Sequence, residues 1–262
     1  MSQAELPLNG SVAVITGAGG GLGRGLTEAF ARAGAAVVCQ DLREDAAQAC
    51  ADAIATLGPS EPMVWACDVT DSAAVEAMFD EAWSRYGVVD VLVNNAGVQS
   101  TPGDGSPDLV GLPQLAAMTD GAWSMMIDVH LTGAFYCSRA MVRRLLEAQR
   151  GGSITSIGSI VAMGGVGPIH YAAAKGGIIA LMRAIAQSGG RHGIRANTIC
   201  PGMISTPMTD ALPADQEYVR KRTPLGRIGQ PSDIAALSVF LAGEGSFITS
   251  QTLSPNGGYI ST

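Results

Sequence analysis

The sequence lacks any apolar run near the about 18 residues that a membrane span requires. Its first residues, MSQAELPLNGS, lack the cationic-then-apolar pattern of a signal peptide. The 5 cysteines form no CxxC or metal-type pair, which favours free thiols in a reducing compartment. Charged residues are only 15% of the chain, and the net charge of -7 disfavours non-specific binding to nucleic acid or an anionic membrane. We therefore expect a cytoplasmic protein with no nucleic-acid or membrane partner.

What is present is an alternation of short β-branched runs and amphipathic stretches along 262 residues. The runs predict strands, mostly apolar on both faces, at 12–16, 36–40, 63–67, 91–94, 153–158, 194–200 and 250–255. The stretches predict helices at 22–33, 44–57, 71–86, 119–148, 170–189 and 231–242. The alternation predicts an α/β fold, a doubly wound parallel sheet of about seven strands with helices on both faces. Since no linker or repeat divides residues 1–262, we expect a single domain.

Two segments interrupt this alternation. Residues 98–118 form a long loop rich in glycine and proline after one predicted strand, and residues 203–227 are irregular and follow another. Ligands of doubly wound sheets bind beyond the carboxyl ends of the strands. Both segments are therefore predicted to cover a substrate site, although the first is equally interpreted as a tolerated surface insertion.

A cluster of glycines joins the first predicted strand to the first helix, in the stretch VAVITGAGGGLGRGL. Gly17, Gly21 and Gly23 have the spacing TGxxxGxG. Glycine lets the backbone turn tightly and approach a pyrophosphate, while the following helix presents unpaired N–H groups to the negative charge. A glycine cluster alone is also typical of a flexible turn, but its place between a strand and a helix favours dinucleotide binding.

The second predicted strand leads to Asp41, about 20 residues beyond the glycine cluster. A carboxylate there accepts hydrogen bonds from the adenosine ribose hydroxyls and repels a 2′-phosphate. The residue before Gly21 is Gly20 rather than a basic residue. Both features favour NAD over NADP, whereas Arg43, two residues beyond Asp41, keeps NADP open as the alternative.

Tyr171 and Lys175 lie four residues apart on a predicted helix and therefore on one face of it. A nearby ammonium favours the phenolate, so we expect the pKa of Tyr171 to fall below the ordinary value of about 10. Such a tyrosine exchanges a proton with an alcohol or carbonyl near neutral pH. Ser159, after the preceding strand, is placed to hydrogen-bond the same substrate oxygen. Each residue alone is more often structural, but the set in this order behind a dinucleotide turn indicates catalysis.

Seven pieces of the sequence together resemble the short-chain dehydrogenase/reductase family over nearly the whole chain. They are TGAGGGLG (16–23), CDVTD (67–71), NNAG (94–97), Ser159, YAAAK (171–175), IRANTICPG (194–202) and PLGRIGQPSDIA (224–235). The resemblance implies a single Rossmann-type domain, a nicotinamide cofactor and a homotetramer.

The resemblance also implies roles for individual residues. Tyr171 would be the general acid/base, Lys175 would lower its pKa and bind the nicotinamide ribose, and Ser159 would orient the substrate oxygen. The implied cofactor-binding set is Gly17, Gly21, Leu22, Gly23, Asp41, Leu42, Asp68, Val69, Asn95, Ala96, Gly97, Tyr171, Lys175, Pro201, Gly202, Ile204 and Thr206. Without the family, Asp68 is equally a helix-start carboxylate and Thr206 a turn residue. Ser159 precedes Tyr171 by one residue fewer than in most members, which leaves Ser156 as a weaker alternative.

His130, in the stretch MIDVHLTGAF, occupies a position where the family normally has asparagine. In many members the main-chain carbonyl of that asparagine holds a water that contacts the catalytic lysine, and a carbonyl survives any substitution. The piece VHL is similar to (3R)-hydroxyacyl-CoA dehydrogenase members. A metal-ligand role is disfavoured because no cluster of ligands has metal-site spacing. A direct acid/base role stays open, since imidazole has a pKa of about 6.5. The carbonyl, the water and the lysine form a proton relay in those members. The favoured interpretation of His130 is a residue that supports this relay by kinking or capping the helix near Lys175.

The sequence therefore predicts an NAD-dependent oxidoreductase that acts on a secondary alcohol or its ketone, without a metal. The predicted substrate pocket is largely apolar and includes Val161, Met163, His170, Met203 and Met208, although a loop residue at a helix start is the favoured interpretation of His170. One rival prediction is a (3R)-3-hydroxyacyl thioester dehydrogenase or 3-oxoacyl reductase. A rival of another class is a module that binds NAD without turnover, which the presence of Tyr171 and Lys175 disfavours.

Overall fold

The computed structural model describes residues 6–104, 111–164, 167–210 and 213–261, and for Met208 and residues 213–215 it describes the backbone alone. Across these residues one sheet of 7 parallel strands has the order β3-β2-β1-β4-β5-β6-β7. The strands are β1 (Val12–Thr16), β2 (Ala36–Asp41), β3 (Met63–Ala66), β4 (Val91–Asn94), β5 (Gly152–Ile157), β6 (Ile194–Ile199) and β7 (Thr252–Leu253). The predicted α/β class and doubly wound parallel sheet are confirmed.

Ten helices connect or flank the strands in the described part of the chain. They are α1 (Gly21–Arg32), α2 (Glu44–Ile54), α3 (Ser72–Tyr86), α4 (Leu112–Ala117), α5 (Asp120–Ile127), α6 (Gly133–Glu147), α7 (Ile169–Gly189), α8 (Pro207–Asp210), α9 (Pro213–Arg222) and α10 (Pro231–Ala242). None of the helices in the described ranges is long and apolar enough to cross a membrane.

The sheet is buried on both faces, which is why its strands are apolar at nearly every position. Alternate residues of a strand point to opposite faces, so Ala13 and Ile15 of β1 pack with α1, α2 and α10, while Val12 and Val14 pack with α3, α6 and α7. This three-layer packing leaves the carboxyl ends of the strands uncovered by the sheet-packing helices. Loops that follow the strands therefore meet at that edge.

The helix predicted over residues 119–148 is interrupted at its centre. A π-helical turn, Asp128–Thr132, separates α5 from α6 and contains His130. A π-turn inserts one extra residue into a helix and shifts the residues around it, and such turns are frequent at functional sites. The kink that the sequence associated with His130 is thus a change of helical type rather than a helix end.

The two segments predicted to be irregular contain short helices. The described part of 98–118 includes α4, and 203–227 includes α8 and α9. Each of these helices has a proline in its first turn, where the missing N–H of proline has no intrahelical partner to lose. The prolines are Pro113 in α4, Pro207 in α8 and Pro213 in α9. These prolines, which lie in segments predicted to be irregular, are therefore helix starts.

Candidate active site

A cavity of about 560 Å³ opens at the carboxyl ends of β1, β2, β4, β5 and β6. One end is formed by the glycine turn and Asp41, and the other by Ser159, Tyr171 and Lys175. Its size is within the range of about 300–1,000 Å³ typical of small-molecule sites. The edge of the sheet therefore joins the predicted cofactor site and the predicted catalytic residues in one space.

The glycine turn brings its backbone directly to the wall of this cavity. Gly17 has φ +63°, which side chains rarely adopt, and a Cβ on Gly23 would collide with the carbonyl oxygen of Gly17. A Cβ on Gly21 would lie 2.8 Å from Cβ of Thr206. Helix α1 begins at Gly21 without a side-chain cap on its N-terminal N–H groups. Only glycine fits at these positions, and the exposed amides suit an anionic group.

Buried side chains behind the glycine turn hold it in place. Gln40, 1% exposed, accepts a hydrogen bond from the N–H of Gly17 at 3.2 Å and donates to the carbonyl of Cys67 at 2.8 Å. Asn95 donates to the carbonyls of Thr16 and Gly17 at 2.9 and 3.1 Å. These bonds tie the loop after β4 to the loop after β1. Gln40 was not among the predicted site residues, because a glutamine inside a β-branched run gives no motif.

Asp41 stands at the end of β2 with both carboxylate oxygens bonded to backbone. Its Oδ2 accepts from the N–H of Gly19 at 3.0 Å and its Oδ1 from the N–H of Arg43 at 3.2 Å. The guanidinium of Arg43 pairs instead with Asp45 at 3.1 Å, at the surface. The carboxylate that lines the cavity at this end is therefore fixed in position, and the neighbouring cation is turned to a different carboxylate.

The three predicted catalytic residues come together at the other end. Ser159 caps a short 3-10 turn, Ile160–Met163, through a hydrogen bond from the N–H of Val161 at 3.2 Å, and it also hydrogen-bonds Tyr171. Lys175 Nζ lies 5.5 Å from the centre of the Tyr171 ring and donates to the carbonyl of Ile157 at 2.7 Å. Ser156 lies away from them, donating to Met182 in the core.

The acid–base properties of this end differ from the expectation. Burial raises the pKa of Tyr171 to about 12, and the hydrogen bond with Ser159 lowers it by less than burial raises it. Burial also lowers the pKa of the Lys175 ammonium to about 8. The expected fall of the tyrosine pKa below its usual value is wrong for this structure, because desolvation dominates and the ammonium is directed to the Ile157 carbonyl.

His130 is buried in contact with both the catalytic end and the loop after β4. Its ring packs edge to face on Tyr171 with centroids 5.2 Å apart, and its Nε2 lies 2.8 Å from the carbonyl oxygen of Val98. Burial, and secondarily the charge of Lys175, lower its pKa to about 3. The imidazole is therefore neutral at pH 7, which argues against a proton donor cycling near neutral pH. In the described residues, no group of three or more His, Cys, Asp or Glu is placed to hold a metal ion.

Most of the predicted site residues line the cavity, and some do not. Those in its wall are Gly17, Gly21, Leu22, Gly23, Asp41, Asn95, Gly97, His130, Ser159, Val161, Tyr171, Lys175, Pro201, Gly202, Met203, Ile204 and Thr206. Outside the wall are Leu42, Asp68, Val69, Ala96, Met163 and His170, and the side chain of Met208 lies outside the described residues. His170 is fully buried and contacts Thr101, so the expectation that it faces the pocket needs correction. Leu42 is 68% exposed and projects from the surface.

The wall also contains residues that the sequence analysis did not single out. Val98 and Gln99 follow β4, Pro168 precedes α7, Val219 comes from α9, and Tyr259 comes from the C-terminal segment. They come from loops distant in sequence, and no motif connects them. Proximity to a recognised motif could have indicated Val98 and Gln99, which follow NNAG directly.

The donors and shapes present fit a nicotinamide dinucleotide. Side-chain-free backbone at Gly17, Gly21 and Gly23 leaves room for a pyrophosphate, and the Asp41 carboxylate suits a ribose diol. Ser159 and Tyr171 supply two hydroxyls and Lys175 an ammonium at the far end. The arrangement can bind an oxygen and exchange a proton with it beside a nucleotide.

Comparison with known proteins also points to an enzyme that binds a nicotinamide dinucleotide. A family model described as enoyl-(acyl carrier protein) reductase matches residues 17–260. The chain is 36% identical over 249 residues to (2S)-[(R)-hydroxy(phenyl)methyl]succinyl-CoA dehydrogenase subunit BbsD of Thauera aromatica, covering 94% of this chain and 95% of that one. It is 36% identical over 252 residues to 3-oxoacyl-[acyl-carrier-protein] reductase FabG of Escherichia coli strain K12, covering 95% and 97%.

A solved structure extends the likeness to the fold. A short-chain type dehydrogenase/reductase from Mycobacterium marinum superimposes with a TM-score of 0.89 at 30% identity, over 98% of this chain and 99% of that one. The fold and site define a nucleotide-binding oxidoreductase with a parallel sheet. The chain belongs to the short-chain dehydrogenase/reductase family.

Proposed function

We propose that this chain uses NAD to interconvert a secondary alcohol and its ketone. The observation that carries the proposal is the single cavity that joins the glycine turn and Asp41 to Ser159, Tyr171 and Lys175. A module that binds NAD without turnover would have no need of this set, which supports catalysis over that alternative.

The chemistry follows from the residues at the catalytic end. A bound nicotinamide supplies the acceptor or donor of the hydride. In ketone reduction, the Tyr171 hydroxyl is protonated at neutral pH, since its pKa is about 12, and donates its proton to the carbonyl oxygen as that oxygen gains charge. Ser159 donates a hydrogen bond to the same oxygen, and the Lys175 ammonium lies 5.5 Å from the centre of the Tyr171 ring on which the negative charge is left, close enough for a long-range electrostatic contribution only. Alcohol oxidation is the reverse of this step and requires the phenolate, which a pKa of about 12 makes a minor form at neutral pH.

Preference for NAD is supported by the position of Asp41. Its carboxylate is fixed by the N–H groups of Gly19 and Arg43 at the nucleotide end, so a 2′-phosphate there would meet a negative charge. The Arg43 guanidinium pairs with Asp45, which leaves it occupied with another carboxylate. Asp41→Ala should therefore reduce the ratio of kcat/KM with NAD to that with NADP by at least about tenfold.

A second candidate is a (3R)-3-hydroxyacyl thioester dehydrogenase or 3-oxoacyl reductase. It is favoured by two of the similar proteins, whose names specify a (2S)-[(R)-hydroxy(phenyl)methyl]succinyl-CoA dehydrogenase subunit and a 3-oxoacyl-[acyl-carrier-protein] reductase. Both candidates use the same residues at the reacting oxygen and differ in the groups attached to the reacting carbon. The proposal also includes a homotetramer in the cytoplasm, which light scattering after size exclusion and cell fractionation would test.

The experiment is a screen of secondary alcohols, hydroxysteroids and 3-hydroxyacyl thioesters, each run with NAD and with NADP. Reduction of NAD by at least one alcohol, with NADP poorer, supports the proposal. A thioester that exceeds every simple alcohol in kcat/KM selects the second candidate. No cofactor reduction with any substrate, together with unimpaired NADH binding, supports the non-catalytic alternative.

A further inference from the structure

Two cysteines form a pair of thiols behind the nucleotide end of the cavity. Cys39 lies in β2 and Cys50 in α2; both are free, and their side chains hydrogen-bond each other. They are 0% and 1% exposed and belong to the apolar core on the face of the sheet that α1, α2 and α10 cover. The mechanism proposed above makes no use of them, so the pair is a nucleophilic group outside the catalytic set.

A chain of hydrogen bonds continues from this pair into α1. The Thr27 hydroxyl oxygen lies 2.9 Å from Cys50 Sγ and 3.0 Å from the carbonyl oxygen of Arg24. Cys39 and Thr27 therefore both contact the sulfur of Cys50, and each has one hydrogen that it can direct to a thiolate there. They hold the pKa of Cys50 below its usual value, mainly through the hydrogen bond from Cys39, against the opposing effect of burial. Cys50 is thus the nucleophile of the pair, because the thiolate is the reactive form.

Two thiols in contact, one of them inclined to ionise, can form a disulfide through a sulfenic acid. The Cys50 thiolate attacks one oxygen of hydrogen peroxide, which breaks the O–O bond, gives the sulfenic acid and releases hydroxide, which is protonated to water. The Cys39 thiol then attacks this sulfur, forms the S–S bond and releases a second water. The two thiols lose two hydrogens and two electrons, and one peroxide becomes two waters.

Helix α2 is the element whose local opening gives an oxidant access to the pair. It packs on β2 and on β3, the first strand of the sheet order, and its N-terminal cap residue, Arg43, makes no side-chain hydrogen bond to the first turn. A helix without such a bond lacks about 0.5–2 kcal/mol of stabilisation at its end. Opening of this helix exposes Cys50 to a molecule close to water in size without unfolding the strand that carries Cys39.

The pair is connected to the nucleotide end of the cavity through both of its elements. Cys39 lies two residues before Asp41, whose carboxylate accepts a hydrogen bond from the N–H of Gly19 at 3.0 Å. On α2, Ala46 lies one turn before Cys50, and a Cβ on Gly19 would lie 2.6 Å from Cβ of Ala46. Hydrogen-bonded sulfur atoms are farther apart than the about 2.05 Å of an S–S bond, so a disulfide draws α2 toward β2. This movement changes the packing of the glycine turn.

We propose that Cys39 and Cys50 form a disulfide when the protein meets a hydroperoxide, and that this bond weakens dinucleotide binding at the Asp41 end of the cavity. The site is therefore a modification site, and the oxidant class is a hydroperoxide small enough to reach a buried thiol. The inference rests on the proposed function for the dinucleotide, whereas the disulfide itself is a property of the folded chain.

Peptide mapping tests the bond without a substrate or a cofactor. The folded protein is treated with hydrogen peroxide, its remaining thiols are blocked, and it is digested with trypsin, which cuts after Arg43, and chymotrypsin, which cuts after Leu57. Cys39, Cys50 and Cys67 then fall in three different peptides. We expect the peptides of Cys39 and Cys50 to be recovered joined and to separate after reduction with dithiothreitol.

Variants at the cysteines assign the joined peptide. Cys39→Ala and Cys50→Ala should give none, whereas Cys137→Ala, which removes another buried thiol, should give as much as the wild type. Circular dichroism shows that each variant is folded, and the wild type alone already decides whether the bond forms. Unjoined peptides after treatment, or Cys50 recovered only as a sulfinic acid, overturn the proposal.

NADH titration followed by fluorescence tests the effect of the bond on dinucleotide binding. The dissociation constant should rise about tenfold in the oxidised wild type and return to its starting value after dithiothreitol. The same treatment should leave it within about twofold in Cys50→Ala and in Cys39→Ala, which separates the disulfide from oxidation elsewhere. A joined peptide with unchanged NADH binding overturns the coupling. Failure of the untreated wild type to bind NADH counts against the proposed function, while the peptide map still decides the disulfide.

Discussion

Replacing Lys175 with methionine should change how stability depends on pH. Lys175 is 4% exposed, and its one hydrogen-bond acceptor in the described residues is the carbonyl of Ile157, at 2.7 Å. Burial lowers its pKa from 10.5 to about 8, so the folded state releases this proton before the unfolded state does. Between these two values the unfolded chain binds more protons, and the stability of the wild type rises with pH. Methionine has no proton to release, so the variant lacks this rise.

The size of this change in stability follows from the shift in the pKa of Lys175. At pH 7.5 the buried ammonium costs the wild type about 3 kcal/mol, because one pKa unit corresponds to about 1.4 kcal/mol. At pH 9.5 most of the folded molecules carry neutral Lys175, and the remaining cost is about 1 kcal/mol. Loss of the hydrogen bond to Ile157 costs the variant about 1–3 kcal/mol, but it does so at both values of pH. The stability of the variant relative to the wild type should therefore fall by about 2 kcal/mol between pH 7.5 and 9.5.

The assay is urea unfolding followed by far-ultraviolet circular dichroism at both values of pH. Lys221→Met is the matched control, since Lys221 is the other lysine of the chain and its side chain is 67% exposed. The free energy of unfolding of the control should differ from that of the wild type by the same amount at both values of pH. A constant difference for Lys175→Met as well would refute the reasoning that burial lowers the pKa of the Lys175 ammonium.

Three further predictions concern the π-turn and the helix that faces it. His130→Asn should lower kcat by less than about a hundredfold, or ~2.7 kcal/mol, since a backbone carbonyl survives substitution; a larger loss measured in steady-state assays would assign the relay to the imidazole. Gly176→Ala should raise the free energy of unfolding by about 0.5–1 kcal/mol, because its Cβ meets nothing within 4 Å in the interior of α7. Gly177→Ala should be less stabilising than Gly176→Ala by about 1–3 kcal/mol, because its Cβ would lie 2.6 Å from Cδ2 of Leu131 of the π-turn. Equal denaturation midpoints for the two glycine variants would contradict the packing described there.

The residues that the sequence predicted best are those whose role is set by backbone geometry. Gly17 needs positive φ and Gly23 has no room for a Cβ, so the chemistry leaves one residue type at each position. Tyr171 and Lys175 share a helix face through their spacing alone. The sheet was predictable for a similar reason, because buried parallel strands must be apolar throughout.

What the sequence could not predict depends on contacts between distant segments. His170 was assigned to the pocket from its place beside Tyr171, but burial and Thr101 turn its ring away from the cavity wall. Gln40 supports the glycine turn from inside a β-branched strand, where a polar residue has no pattern. The direction of the Tyr171 pKa was predicted from the nearby charge, whereas the degree of burial decides it.

Turnover by Tyr171→Phe tests the central claim most directly. Phenylalanine keeps the ring that packs on His130 and removes only the hydroxyl that the mechanism uses for proton transfer. With the best substrate of the screen, kcat/KM should fall at least about a hundredfold, while the dissociation constant of NADH, measured by fluorescence, stays within about twofold. Retention of near-wild-type turnover by this variant would contradict the assignment of Tyr171 as the proton donor and acceptor.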